Sequence, residues 1–262
     1  MPFTPSHAVV ALAFTNSRIP AAAVAIGAMA PDVGLYLPLR AARESTHSLL
    51  GIVTVDLAVG AAGLVLWLLL LQPAWRDLAP WLVRVRLRPL APPPRTARAR
   101  TAAVVLAAVG IVIGAASHVL WDGFTHDGGL VVAAVPELRA QLGPFPGYKW
   151  AQYASGVLGL VGLGIGAVVW YVARRPHPIA SDHRGPARLA AWTVVLAAAV
   201  LPAGVVLSGS GLDPLEEAYR SVVVDAAILT VTWTTVAALA VALLWQLALG
   251  VAPRQEADAD PS

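Results

Sequence analysis

The chain has 262 residues, of which 58% are hydrophobic and only 13% charged, and its mean hydropathy is +0.70. A soluble domain carries about a quarter of its residues as charges, so composition excludes an ordinary soluble globule. It also excludes a disordered chain, and zero cysteines exclude a disulfide scaffold. The class that remains is an all-α, polytopic membrane protein.

The first forty residues hold two short apolar runs, Ala8–Phe14 and Ile19–Ala30, interrupted by Thr15-Asn16-Ser17-Arg18, with Pro20 near the start of the second. One continuous span would put Arg18 near mid-membrane, at a cost of ~3 kcal/mol or more. Two short helices in a re-entrant or interfacial hairpin avoid that cost, provided the break is buried in protein or wetted. No basic residue precedes Arg18, and Ala28-Met29-Ala30 runs directly into Pro31. That is not a signal-peptide pattern, and the N-terminus is expected to be retained.

Five later stretches reach the roughly 20 apolar residues that cross a bilayer core. They are Leu49–Leu71, Thr101–Leu120, Gln152–Val172, Ala187–Leu207 and Ser221–Leu249. Trp75, Trp81, Trp121, Trp150 and the Trp170-Tyr171 pair cluster where such helices leave the membrane, which suits an indole with an apolar ring and a polar N–H. The expected organisation is a single integral membrane domain over 1–262, five full spans plus the N-terminal hairpin, with an Arg/Pro-rich loop at 72–100 and a disordered tail at 251–262.

Charge orients the chain. The segment Gln72–Arg100 carries arginines 76, 84, 86, 88, 95, 98 and 100 against Asp77, and Ala173–Pro186 carries Arg174, Arg175 and Arg184 against Asp182. Both are assigned to the cytoplasm by the inward bias of basic residues. Trp121–Ala151 and Ser208–Arg220 are richer in acids and alternate with them as five spans require. The C-terminus is therefore expected inside a cell membrane, and the start of the first full span outside. The pI of 9.7 and net charge of +3 raise nucleic-acid binding. The basic residues instead flank spans and mix with prolines 92 to 94 without zinc-finger or helix-turn-helix spacing. No nucleic-acid partner is expected, and the sequence is silent on protein partners and oligomeric state.

Against so apolar a background, buried polar residues need a reason. His118 and Asp122 stand one turn apart if their helix continues that far, and imidazole with carboxylate is a natural ligand pair for zinc, iron or manganese. The alternative is a hydrogen-bonded pair at a helix end. His126 lies one further turn along, in Thr125-His126-Asp127-Gly128-Gly129. His47 precedes the first full span on the same side, and Asp32 follows the N-terminal apolar pair. His7, with Ser6 as a candidate N-cap, joins them if residues 8–30 form a hairpin and drops out if they cross the membrane. Asp56, inside the first full span, needs a partner: a histidine of this set, whose tautomer it would fix, or Arg18 or Arg43. Asp225 is a weaker candidate, and His177 and His183 fall among arginines. Glycines 156, 159, 162 and 166 read as helix-packing positions.

The opening MPFTPSHA, GAMAPD at Gly27–Asp32, THSLLG at Thr46–Gly51 and SHVLWDGFTHDGG at Ser117–Gly129 resemble the bacterial domain-of-unknown-function 4184 family of integral membrane proteins. The resemblance covers Met1–Leu163 well and the last two spans loosely. That family is distantly similar to the membrane-bound metal-dependent hydrolases. What the resemblance implies is a metal set of His7, Asp32, His47, His118 and Asp122, with His126 in an element of the nearer family.

These readings converge on a metal-dependent membrane hydrolase at the outer interface, with zinc as the first expectation and manganese or iron next. His126 would act as proton donor and Asp56 as a catalytic auxiliary. An interfacial site suits a lipid substrate such as a lipid phosphoester, whose phosphate Arg40 and Arg43 could meet. No phosphate loop, dinucleotide fingerprint or Gly-x-Ser-x-Gly elbow is present. A transporter or metal-handling protein and an accessory membrane protein without catalysis are the alternatives.

Overall fold

The fold is that of a computed structural model describing residues 4–36, 43–90, 92–180, 182–211 and 217–251. Its longer helices are α1 (Thr4–Phe14, of 3-10 type), α2 (Ala21–Met29), α3 (Leu49–Leu78), α4 (Ala97–Thr125), α5 (Gly147–Ala173), α6 (Gly185–Gly209) and α7 (Glu217–Val251). A 3-10 turn, Ala30–Leu35, prolongs α2, and short helices at Arg43–Thr46, Trp81–Arg84, Leu130–Ala134 and Pro136–Arg139 lie in the connections. The sheet among the described residues is a two-residue hairpin pairing Gln141 with Pro146 and Leu142 with Phe145. Gly143 turns it with φ of 65°, a left-handed value that costs glycine nothing.

Among the described residues five helices are long and apolar enough to cross a membrane, and the chain is a multi-pass, all-α membrane protein. Their outward faces agree: Leu49 is 84% exposed, Val172 77% and Val205 70%, a surface stable only against hydrocarbon. The helices overrun the apolar stretches read from sequence. The second span begins at Ala97 rather than Thr101, because the Thr96 hydroxyl accepts from the Ala99 amide at 3.2 Å and caps it. The first runs on to Leu78, so the expected loop at 72–100 is helical at both ends. The expected tail, apart from Val251, lies outside the described residues.

Within the expected single membrane domain the chain packs as two compact units, one of Met1–Val65 with Arg88–His177, the other of Leu66–Leu87 with Pro178–Ser262. In the first, α1 and α2 pack against each other and α2 packs along α4. The α2–α4 contact is backbone to backbone. A Cβ on Gly27 would sit 2.2 Å from the Ile111 carbonyl oxygen, and one on Gly114 would sit 2.2 Å from that of Val24. Only glycine permits this approach, and it brings the end of α2 onto the part of α4 that carries His118. On α5, Gly159, Gly162 and Gly166 receive Ser6, Val9 and Leu12 of α1. The α1 helix starts at Thr4, so Ser6 is a buried helix residue instead of the expected cap.

In the second unit α6 packs along α7. Pro73 has no N–H to give the Leu69 carbonyl, and the helix passes through a π segment, Trp67–Leu71, just before it. Gln246 supplies the missing donor, its amide reaching the carbonyl oxygens of Leu69 at 3.1 Å and Leu70 at 2.6 Å. The two arginine-rich segments meet in this unit. Asp77 accepts from Arg184 (3.1 Å), Arg188 (3.0 Å) and the Trp245 indole (2.9 Å), while Asp182 accepts from Arg84 (2.9 Å) and Arg188. Segments paired by charge in this way lie at one end of the unit.

Candidate metal centre

Four elements of the first unit deliver polar side chains to one point. α1 brings His7, the Ala30–Leu35 turn brings Asp32, and the two-residue link between Arg43–Thr46 and α3 brings His47. α4 continues through Thr125, so His118 and Asp122 share a face as the spacing requires. Asp32, His47, His118 and Asp122 each offer a ligand atom, all within 4.8 Å of one another. His118 is 0% exposed, Asp32 3%, and His7 and Asp122 8% each. His7 stacks on His118 with ring centroids 4.0 Å apart, and its Nε2 lies 3.8 Å from Asp122. The two short helices thus return His7 to the side of Asp32, and four of the five expected ligands form the tight set with the fifth beside it.

Local bonds aim these groups. His118 Nδ1 lies 2.7 Å from the Ala28 carbonyl, which can only accept. The ring proton is therefore on Nδ1, and the Nε2 lone pair faces the cluster. The carbonyl is in place because Gly27 and Gly114 let α2 and α4 touch. The Thr4 hydroxyl donates to Asp32 Oδ2 at 2.6 Å, and Tyr36 donates to Thr4 at 2.8 Å. Asp32 is left with Oδ1 toward His47 and His118. His47 Nδ1 lies 3.0 Å from the Thr46 hydroxyl. Sequence reasoning missed Thr4 and Tyr36, since a hydroxyl in a short N-terminal segment carries no signal of its own.

The distances between facing atoms test whether a cation fits. His47 Nε2 is 3.4 Å from Asp122 and 3.6 Å from Asp32, and His118 Nε2 is 3.5 Å and 3.7 Å from the same two. Hydrogen bonds between such atoms are 2.7–3.2 Å long. Tetrahedral donors about 2.1 Å from a zinc ion lie about 3.4 Å from each other. The four His–Asp separations are those of edges in a coordination shell, with nitrogen and oxygen donors suited to zinc, manganese or iron.

Charge follows from burial and pairing. Burial, and then His118, push the His7 imidazole down to about 4, so it is neutral near pH 7. Burial opposes protonation of His47, but the facing Asp122 and Asp32 carboxylates outweigh it and carry the ring up to about 9. Burial likewise works against the Asp32 carboxylate, and His47, His118 and Thr4 overcome it and hold its pKa below the usual range.

The remaining candidates separate. His126 ends α4 as its C-cap, with Nδ1 3.5 Å from Asp122 Oδ1. Asp56 is 0% exposed and among the described residues neither carboxylate oxygen has a hydrogen bond, so the expected bond to a site histidine is not formed. Arg18, its other expected partner, is exposed. Arg40 and the Arg43 side chain lie outside the described residues. Asp225 is an exposed residue of the second unit. Gln152, missed as a site residue, is wholly buried on α5 and reaches His126 at 3.2 Å; an amide heading so apolar a helix was its visible signal.

Two openings flank the cluster. A cavity of about 810 Å³ is lined by His47, Asp122, His126, Asp127 and Gly128-Gly129. Another of about 420 Å³ is lined by His7, Val9, Val10, Trp121 and Leu158.

No curated protein and no solved structure matches the chain. The match to a family model runs past Leu163, where the motif resemblance becomes loose, and through four of the five long helices and most of the last. Over residues 1–245 the chain matches the model described as Domain of unknown function (DUF4184), and it belongs to that family.

Proposed function

We propose that the chain is a metal-dependent hydrolase working at a membrane boundary, with Asp32, His47, His118 and Asp122 holding a divalent cation and His7 beside them. The observation that carries this is the spacing of the ligand atoms, with each histidine 3.4–3.7 Å from each aspartate and all four within 4.8 Å of one another, too long for ordinary hydrogen bonds and suited to a shared ion. Zinc is the first choice for a shell of two imidazoles and two carboxylates, with manganese or iron next. A divalent cation there lowers the pKa of a water it binds and polarises a phosphoryl or carbonyl oxygen. The chain's own contribution is orientation: Ala28, Thr46 and Thr4 fix the ligand side chains, and burial keeps bulk water away.

The substrate class follows from position and lining. From Arg98 to His118 the chain climbs twenty residues of α4, about 30 Å, the thickness of the hydrocarbon core. With the arginine-rich end in the cytoplasm, the cluster reaches the outer boundary of a cell membrane, and the α1–α2 pair is interfacial or re-entrant. The larger cavity is polar on the His47–Asp122–His126 side, and the smaller one is apolar through Val9, Val10 and Leu158. That pairing suits an amphiphile such as a lipid phosphoester, head to the cluster and chain along the apolar side.

The test is elemental analysis of purified full-length protein in detergent, with hydrolysis of a lipid phosphoester followed in parallel. Near-stoichiometric metal and activity are expected, both lost in His118→Gln while helical circular dichroism is kept. Wild-type protein that takes up no zinc, manganese or iron would refute the proposal. Metal handling is the second reading, favoured by Asp56. This buried carboxylate has no hydrogen bond among the described residues and sits two residues after Thr54, where the span breaks at φ −119°, ψ −85°. Metal flux into liposomes that Asp56→Asn abolishes would select that reading.

A further inference from the structure

Gln152 and Lys149 lie on α5, outside the cluster and three residues apart on one face. Lys149 Nζ is 2.8 Å from Gln152 Oε1, and Gln152 Nε2 is 3.2 Å from His126 Nε2. On the other side of the ring, His126 Nδ1 is 3.3 Å from the Asp122 carbonyl and 3.5 Å from Asp122 Oδ1.

The chemistry of these atoms leaves one arrangement. An ammonium only donates, so the amide atom facing it is the oxygen. The Gln152 nitrogen therefore faces His126, and since it only donates, His126 Nε2 must present a lone pair. The single ring proton of a neutral imidazole is then on Nδ1, directed at Asp122. Turning the amide over would set its NH2 against the ammonium, donor to donor. Gln152 is wholly buried, so no water can restore the balance on its behalf.

We propose that Lys149 and Gln152 are positioning residues that lock His126 as the Nδ1–H tautomer, turned toward the Asp122 main-chain carbonyl and lying beside the Asp122 carboxylate. This replaces the role of leaving-group acid expected for His126, because its other nitrogen is committed to Gln152. Asp32 Oδ2 is held by the Thr4 hydroxyl and Asp122 Oδ1 lies 3.5 Å from His126 Nδ1, while the other oxygen of each carboxylate turns toward His47 and His118. The tautomer itself does not depend on a metal; its consequence for ligand geometry rests on the metal-centre reading.

Nitrogen-15 NMR of histidine-labelled, metal-free full-length protein in lipid tests this, with the His126 signals assigned by their absence in His126→Gln. The expected spectrum has a proton-bearing Nδ1 and a bare Nε2. Gln152→Glu offers Nε2 an acceptor and should make it proton-bearing, and Lys149→Met, which frees the amide to turn, should move it part of the way. A merely structural Gln152 would leave these signals unmoved. A proton-bearing Nε2 in the wild type, which needs no variant to fold, overturns the proposal. In zinc titrations Gln152→Leu should weaken binding about 10- to 100-fold. A wild type that shows the tautomer but binds no zinc would sink the metal centre and leave the relay standing.

Discussion

Gly27→Ala tests whether helix packing builds the candidate centre. The new Cβ would lie 2.2 Å from the Ile111 carbonyl oxygen and 2.7 Å from the Ile111 Cα, both backbone atoms that no rotamer change can clear. A carbon and a carbonyl oxygen in contact need about 3.3 Å, so α2 and α4 must part by about 1 Å. Overpacking of this kind costs about 1–3 kcal/mol, partly offset by alanine's better helix propensity, about 1 kcal/mol. The same movement stretches the 2.7 Å bond from His118 Nδ1 to the Ala28 carbonyl, one residue away, beyond hydrogen-bonding length. Loss of such a bond lowers metal affinity about 10- to 100-fold. Denaturant unfolding in micelles and zinc titration with a competing chelator read the two effects, with Gly164→Ala as control because nothing lies within 4 Å of its Cβ. Zinc affinity unchanged in Gly27→Ala would refute the claim that this contact orients His118.

The other predictions concern charge, ligand rank and the second unit. Since His47 is carried up to about 9 by its carboxylates, metal binding at pH 7 should release about one proton from it, measurable by calorimetry in buffers of different ionisation enthalpy. In metal-free protein the His47 contribution is complete below about pH 6.5 and lost as pH rises through about 9. The His7 contribution is complete above about 6.5 and lost as pH falls through about 4. Apo stability should therefore peak near pH 6.5, and a profile rising steadily to pH 9 would contradict the pairing of His47. His7→Gln should weaken zinc binding less than His118→Gln, because His7 stands beside the four-residue set. Gln246→Leu should destabilise by about 1 kcal/mol through the unserved Leu69 carbonyl. That loss should shrink in a Pro73→Ala background, where the backbone N–H returns.

Much of the site was legible because the background is so plain. His118 and Asp122 stood out by their four-residue spacing, and His47 joined them by topology through the alternation of basic and acidic loops. His7 was undecided between a hairpin and a crossing, since an apolar run with a polar break is consistent with either until its neighbours are known. Asp56 was legible as an anomaly, but of its expected partners no site histidine bonds it and Arg18 is exposed, and among the described residues none lies within hydrogen-bonding distance. Thr4, Tyr36 and Lys149 could not be read at all. Their meaning lies in contacts with residues 28, 32 and 3 positions away.

The sequence by itself determined the solvent, the five spans and the residue types available for chemistry, because hydrophobic length and charge bias act locally along the chain. Tertiary structure decided everything that depends on two helices meeting. It set which carbonyl turns His118, which oxygen of each aspartate faces inward, and which nitrogen of His126 keeps its proton. Those choices are made by hydrogen-bond donors and acceptors from distant segments, and glycine contacts between helix backbones bring the segments close enough to make them.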